Sequence, residues 1–186
     1  VLQWAQEYPN IHYIFAKEVK KKLGNSVLKR LGVGEGVKEK ITYVKHGQQV
    51  EIHGVRVVTL LSTDSGVAFL ATAAGKTVYH AGDLNWWKWE GEPEEFNDFQ
   101  ERVYQEQIGL LAGRKIDLAF VVVDPRQEQH QFLGIQYFME HVDAAKVVPM
   151  HFWKQYALIQ EYRSSLPAGE RERILAVEHE NQEMII

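Results

Sequence analysis

The chain has 186 residues, a formal charge of −4, 45% hydrophobic residues and no cysteine. This length and composition predict a single globular domain, residues 1–186, and exclude the disordered and fibrous classes of protein. The acidic balance argues against binding along a nucleic-acid backbone. No apolar run is long enough to cross a bilayer. Without cysteine, any metal ion must be held by His, Asp or Glu.

The first forty residues predict the end of a helix, a strand and a basic helix. Residues 1–8 carry apolar side chains at helical spacing until Pro9, and "IHYIFA" (residues 11–16) is typical of a strand. The segment from Lys17 to Arg30 is positively charged. We interpret it as a solvent-exposed helix face and leave a local basic binding patch as the alternative.

The remaining chain divides into an all-β part and a part that alternates between helices and strands. Short β-branched runs separated by "HG" and "AAGK" turns predict a four-stranded β-meander over residues 40–83. The elements predicted after it are helix 93–113, strand 115–124, helix 131–142, strand 145–151, helix 154–166 and a final strand pair in 174–186. Such an order predicts an α/β fold with two packed sheets and helices outside, a four-layer αββα sandwich.

Three residues with metal-binding or catalytic side chains follow the ends of predicted strands, namely Asp83, Asp124 and His151. Strand ends in such folds share one rim, so we expect these side chains to lie within about 10 Å of one another. Each residue alone is more typical of a turn or a strand boundary. The functional interpretation therefore depends on their convergence.

Aromatic and basic residues surround these positions. The segment "YHAGDLNWWKW" (residues 79–89) places three tryptophans just after Asp83. We expect Trp86 to face the site and bind substrate, and the other two to pack. Arg126 in "DPRQ" has a guanidinium that can bind a phosphate or carboxylate, with a salt bridge to Asp124 or Glu128 as the alternative. For His80, a supporting hydrogen bond to the site and simple packing both stay open.

Three segments together, "GKTVYHAGDLN", "IDLAFVVVDPRQ" and "AKVVPMHFW", resemble the later motifs of the metallo-β-lactamase fold superfamily. The resemblance covers nearly the whole chain and is greatest to stand-alone bacterial hydrolases of the L-ascorbate-6-phosphate lactonase type. It implies that Asp83 bridges two metal ions and that His151 binds the second. It further implies hydrolysis of a small, anionic ester or lactone by metal-activated water, with two zinc ions, or with manganese or iron as alternatives.

Two departures from the family pattern limit what the resemblance implies. The family's His-x-His-x-Asp-His motif has no counterpart among these residues. We therefore expect the N-terminal part of the domain to be missing and the chain as given to be inactive, because Asp83 and His151 are too few to hold zinc tightly. In "LLSTDSGVAFL", where many relatives place a His ligand, Asp64 is the candidate oxygen ligand, with a turn role as the alternative.

Two other functions stay open on the same residues. A non-catalytic binding or interaction module would keep the fold without the chemistry. A nuclease of the superfamily is disfavoured by the net acidity. We expect a cytoplasmic bacterial protein with a small-molecule substrate and with neither nucleic acid nor membrane as partner, and a homo-oligomer stays open.

Overall fold

The computed structural model describes residues 2, 4–8 and 10–185, without the side chains of residues 5, 6 and 35. Strands and helices alternate in a mixed α/β arrangement, which confirms the predicted fold class. The strands are β1 (Tyr13–Ala16), β2 (Ile41–Val44), β3 (Gln49–Ile52), β4 (Val55–Leu61), β5 (Val67–Ala73), β6 (Lys76–His80), β7 (Lys115–Val122) and β8 (Asp143–Met150). The α-helices are α1 (Trp4–Glu7), α2 (Asn25–Arg30), α3 (Glu94–Gly109), α4 (Leu133–His141), α5 (Tyr156–Ser165) and α6 (Ala168–Arg173).

The larger sheet has six strands in the order β3-β4-β5-β6-β7-β8. Strands β3 to β6 pair antiparallel, as the predicted meander requires, and β6, β7 and β8 pair parallel. Strand β2, at the start of the predicted meander segment, instead pairs parallel with β1 in a separate two-stranded sheet. The parallel half of the large sheet therefore directs the carboxyl ends of three neighbouring strands to the same edge.

The small sheet lies between two apolar clusters because its side chains alternate between its faces. On one face, Ala16 and Val44 pack with Val67 of the large sheet. On the other, Tyr13 and Ile41 pack with residues of α2 and of the turns after it. This places a helical layer outside the small sheet.

The main core joins the opposite face of the large sheet to helices α3, α4 and α5. Tyr79 of β6 is fully buried and stacks on Phe138 of α4, with ring centroids 5.4 Å apart. The layers in order are helices, six-stranded sheet, two-stranded sheet and helices, so the αββα arrangement is confirmed within the described residues. None of the helices in this part of the chain is long and apolar enough to span a bilayer.

The predicted final strand pair in residues 174–186 is wrong. The segment meets the sheet only at its start, through an isolated bridge between Ile174 and Val147 in which the Leu175 N–H donates to the Val147 carbonyl at 2.8 Å, and residues 175–185 form no strand. The reason lies in the sequence "EHENQE" (residues 178–183), which has no alternating apolar side chains to bury against β8. The last residue, 186, lies outside the described part.

The helices differ from the sequence-based expectations in some details. The basic segment is not one helix but a 3₁₀ turn at Lys17–Lys22 followed by α2, because Gly24 interrupts it. Helix α6 was not predicted. In α3 the apolar side chains of Phe96, Phe99 and Leu110 are exposed, and the helix buries the stripe formed by Gln100, Val103, Tyr104 and Ile108.

Gly82 controls how the chain leaves β6 and turns toward Asp83. Its φ is +57°, and a Cβ at this position would lie 2.9 Å from the carbonyl oxygen of Val67. Gly75, in the β5–β6 hairpin, has a φ of +76° but open space around it. Both turns need a left-handed residue, and only the turn at Gly82 also lacks room for a side chain.

We expect Gly82→Ala to destabilise the protein more than Gly75→Ala. The hairpin substitution adds only the left-handed backbone penalty, about 1–2 kcal/mol, whereas the substitution next to Asp83 adds a steric overlap of roughly 1–3 kcal/mol. Urea unfolding of both variants measures the difference. Equal losses would contradict the close approach to Val67.

Candidate active site

The three residues predicted to converge do so at the carboxyl edge of the parallel strands. Asp83 follows β6, Asp124 follows β7 and His151 follows β8. The Nε2 atom of His151 lies 3.1 Å from Oδ1 of Asp83, and its Nδ1 lies 3.8 Å from Oδ2 of Asp124. The imidazole therefore stands between the two carboxylates, and all three groups lie well within the expected 10 Å. We call Asp83, Asp124 and His151 the rim.

Asp124 is a buried carboxylate paired with a partly exposed arginine. Its side chain has no solvent exposure, whereas that of Arg126 is 55% exposed. The guanidinium donates from Nη2 to Oδ2 at 2.6 Å and from Nε to Oδ1 at 2.9 Å, and the Arg126 backbone N–H donates to Oδ1 at 3.0 Å. The sequence is compatible with either a salt bridge or substrate binding at Arg126. The structure shows the salt bridge and leaves half of the side chain accessible.

Opposing effects act on the Asp124 carboxyl. Burial works to raise its pKa, and hydrogen bonds from the Arg126 guanidinium, the Arg126 backbone and the Trp153 indole work to lower it. The hydrogen bonds are the stronger influence, so the pKa lies below its usual value. Asp124 therefore stays ionised and keeps the guanidinium in place.

His80 supports the turn that presents Asp83. Its Nδ1 accepts a hydrogen bond of 3.0 Å from the backbone N–H of Gly82, and its ring lies against Phe120. Burial and the neighbouring His151 lower the pKa of His80, while Asp83 opposes them. Both sequence interpretations of His80, a supporting hydrogen bond and packing, thus describe part of its contacts.

The segment after β8 has an unusual backbone. His151, Trp153 and Lys154 have φ values of +70°, +50° and +64°, although none is glycine. Each left-handed residue of this kind costs of order 1–3 kcal/mol and needs surrounding contacts to hold it. Trp153 has such a contact, because its indole N–H donates to Oδ2 of Asp124 at 3.4 Å.

A cavity of about 250 Å³ opens beside this rim. Trp87 connects the two features, because its ring lies 6.4 Å from that of His151 and its indole N–H donates to the Asp83 carbonyl at 3.1 Å. The residues that line the cavity are Thr63, Asp64, Trp87, Trp89, Phe96, Gln100 and Arg126. Asp64 thus lies near Arg126, and its role as a metal ligand stays a prediction.

Trp86 was expected to face the site, but it points into the protein interior. Its ring packs against Tyr104 and Tyr137, and its buried indole N–H has no hydrogen-bond partner among the described residues. Trp87 and Trp89 line the cavity instead, with their rings parallel and 5.7 Å apart. The loop leaves β6 through an irregular turn, so strand alternation did not indicate which indole would point outward.

A buried polar pair fixes this tryptophan loop and was missed by sequence reasoning. The Asn85 side chain donates to Oε1 of Gln127 at 2.7 Å, and Gln127 donates in turn to the Trp86 carbonyl at 2.9 Å. Asn85 also exchanges backbone hydrogen bonds with the Thr63 hydroxyl. A Cβ at Gly134 would overlap the Asn85 carboxamide. The sequence offers no signal for this pairing because its members are distant in the chain.

Gln100 was also missed, although the sequence contains a signal for it. It lies four residues from both Phe96 and Tyr104 and is a polar residue within the buried stripe of α3. A polar side chain on the inner face of an amphipathic helix is a candidate for a specific contact.

The rim offers ligand atoms of the type that binds a metal ion, but it offers too few of them. The imidazole nitrogen of His151 and the carboxylate oxygen of Asp83 are zinc ligands by type, and their 3.1 Å separation is close to that of two ligands on one tetrahedral ion, about 3.3 Å. Zinc sites in proteins use at least three such side chains. No group of three or more His, Asp or Glu in the described residues could hold a metal.

Known proteins resemble the chain in fold only distantly. No family model matches it, and no curated protein matches its sequence. It is similar to CmlA, a diiron β-hydroxylase from Streptomyces venezuelae, with 14% identity and a TM-score of 0.48 over 76% of this chain and 30% of that one.

Two further solved structures are similar to it. For a putative Zn-dependent hydrolase of the metallo-β-lactamase superfamily from Thermotoga maritima, the identity is 15% and the TM-score 0.37, over 62% of this chain and 52% of that one. For a diphosphatase from the PhnP family the values are 12% and 0.45, over 95% and 59%. The chain spans less than two thirds of the length of each of these three proteins. The lactonase subtype stays a prediction.

We expect Asp124→Asn to destabilise the protein near neutral pH by about 2–3 kcal/mol, since it removes the buried charge and places an N–H donor where a carboxylate oxygen accepted hydrogen bonds. The lowered pKa of Asp124 stabilises the fold above the unfolded pKa of about 3.9, and this contribution is lost as pH falls through the folded pKa. The difference between wild type and variant should therefore shrink from pH 6 to pH 2 in urea titrations.

Asp117→Asn is the matched control for this prediction. Asp117 forms an exposed salt bridge of 2.7 Å with Lys76 and accepts the Thr77 backbone N–H at 2.8 Å, so the ion-pair part of the effect of Asp117→Asn should fade in about 1 M NaCl. The effect of Asp124→Asn should persist in the same salt, because its pair is buried at the carboxylate. A loss of stability in Asp124→Asn that fades in the same salt would contradict a pair that is buried at the carboxylate.

Proposed function

We propose that this chain forms part of the active site of a metal-dependent hydrolase that acts on a small, anionic ester or lactone. The observation that carries the proposal is the contact between His151 Nε2 and Asp83 Oδ1 at the carboxyl edge of three parallel strands. Asp83 and His151 are the proposed metal ligands. Further ligands from beyond the described residues would have to complete the metal site.

Arg126 supports an anionic substrate in this proposal. Asp124 accepts from Nη2 and Nε, which fixes the plane of the guanidinium. The side chain remains half exposed and lines the cavity beside the rim. A guanidinium held in one orientation by a buried carboxylate is suited to binding a carboxylate or phosphate group.

A non-catalytic binding module is the second candidate. It is favoured by the small number of metal-binding side chains in the described residues. In addition, Asp83 and His151 contact each other directly, so each has a partner without a metal ion. In this alternative the rim would be a structural support for the cavity.

Zinc and manganese titrations of the untagged chain by calorimetry distinguish the two candidates. We expect weak zinc binding that is lost in Asp83→Ala and in His151→Ala, because two ligands bind less tightly than three or four. His46→Ala is the control, since His46 is an exposed turn residue between β2 and β3.

Two kinds of result in the zinc titration would contradict the proposed hydrolase. Absence of zinc binding at millimolar concentration, or binding that neither rim substitution changes, would favour the binding module. Binding lost equally in His46→Ala would show that zinc associates with surface histidines and would also count against the proposal.

A further inference from the structure

The cavity beside the rim is surrounded by more carboxylates than cations. Among the described residues that line it, Arg126 is the only cation, and its guanidinium is already paired with the buried Asp124 at 2.6 Å. Asp64 lines the cavity with an exposed carboxylate, which accepts a hydrogen bond of 3.5 Å from the Ser65 hydroxyl. It forms no salt bridge in the described part of the chain. The carboxylate of Asp64 is therefore the ionised group of the cavity that lacks a paired opposite charge.

Aromatic rings form the apolar part of the cavity wall. Trp89 and Phe96 both line the cavity, and Phe96 is 39% exposed. The Asn97 side chain accepts from the Trp89 backbone N–H at 3.0 Å and donates to the Trp89 carbonyl at 3.1 Å, which fastens the tryptophan loop to the helix that carries Phe96. The guanidinium of Arg126 lies 5.8 Å from the centre of the Trp89 ring, whereas no cation lies over the Phe96 ring in the same part of the chain.

The sign of the charge and the aromatic walls together define the ligand. The face of an aromatic ring attracts a cation because the ring quadrupole is negative there. Quaternary ammonium groups use such walls well, since they have no N–H group that needs a hydrogen-bond acceptor. The Asp64 carboxylate adds attraction for a positive charge and would repel an anion. The cavity volume of about 250 Å³ is smaller than the roughly 300–1,000 Å³ of sites for drug-sized ligands, so it suits one small group.

We propose that this cavity binds a small organic cation through a trimethylammonium group, which lies against Phe96 and Trp89 with the Asp64 carboxylate beside it. The guanidinium of Arg126 does not reverse this preference, because Asp124 accepts from both its Nε and its Nη2 and offsets its charge. The inference goes beyond the proposed function, which concerns metal binding at the rim. Binding of the cation requires no metal ion.

Calorimetric titration with choline and with its neutral carbon isostere, 3,3-dimethylbutan-1-ol, in the presence of EDTA tests this inference. The two compounds differ in charge and hardly in shape. We expect wild type to prefer choline by roughly two- to thirtyfold, the range that one cation–π contact spans. This preference should shrink in Asp64→Asn and in Phe96→Leu, because each substitution removes an attraction for charge and keeps a side chain of similar polarity or size. Such a cycle between a protein group and a ligand group isolates their mutual contact.

Asp98→Asn and Phe99→Leu are the matched controls. Both side chains are exposed on α3, and neither lines the cavity. These two variants should keep the wild-type preference for choline. The anionic isostere 3,3-dimethylbutanoate should bind more weakly than the neutral alcohol to the wild type, because it faces the Asp64 carboxylate. Urea unfolding should show all four variants to be folded, since none of the substituted side chains is buried.

Three results would overturn the inference: no choline binding at tens of millimolar, equal affinity for choline and the alcohol, or a preference that Asp64→Asn and Phe96→Leu leave unchanged. An equal loss of preference in Asp98→Asn would show only long-range attraction by an acidic protein and would also count against it. Because EDTA is present, these failures differ from failure of the proposed function. Choline binding without any zinc binding would retain this inference and reject the hydrolase, and zinc binding without choline binding would do the reverse.

Discussion

The buried carboxylate of Asp124 is the constraint on which the rim depends. It accepts hydrogen bonds from Arg126 and Trp153 and lies 3.8 Å from His151. An ionised group without solvent exposure is stable only if such partners remain in place. The same requirement helps to hold the left-handed backbone at His151 and Trp153. One side chain at the end of β7 thus fixes residues that follow β8.

The parallel half of the sheet explains why these contacts are possible. Strands β6, β7 and β8 are neighbours with the same direction, so the turns that follow them share an edge. The antiparallel half adds the β4–β5 hairpin, with Thr63 and Asp64, to the same edge. A site built from four turns can combine acidic, basic and aromatic groups while the strands below stay apolar and well packed.

The rim and the cavity have different chemical characters. The rim pairs an imidazole with carboxylates, which suits metal binding or proton transfer. The cavity combines aromatic walls with a guanidinium and a carboxylate, those of Arg126 and Asp64. Trp87 touches both, through its contacts with His151 and with the Asp83 carbonyl. The rim and the cavity are therefore two distinct features that meet at Trp87.

The sequence by itself determined the main strands and helices, the mixed α/β layering and the positions of Asp83, Asp124 and His151 at strand ends. These follow from local apolar periodicity and from turn residues. Only the tertiary structure decided that Trp87 and Trp89 rather than Trp86 line the cavity, that Asn85 pairs with Gln127, and that residues 175–185 form no strand. Those features depend on contacts between residues about 40 positions apart or on the exact path of irregular turns. Periodicity carries no information about either, because it describes only neighbours along one element.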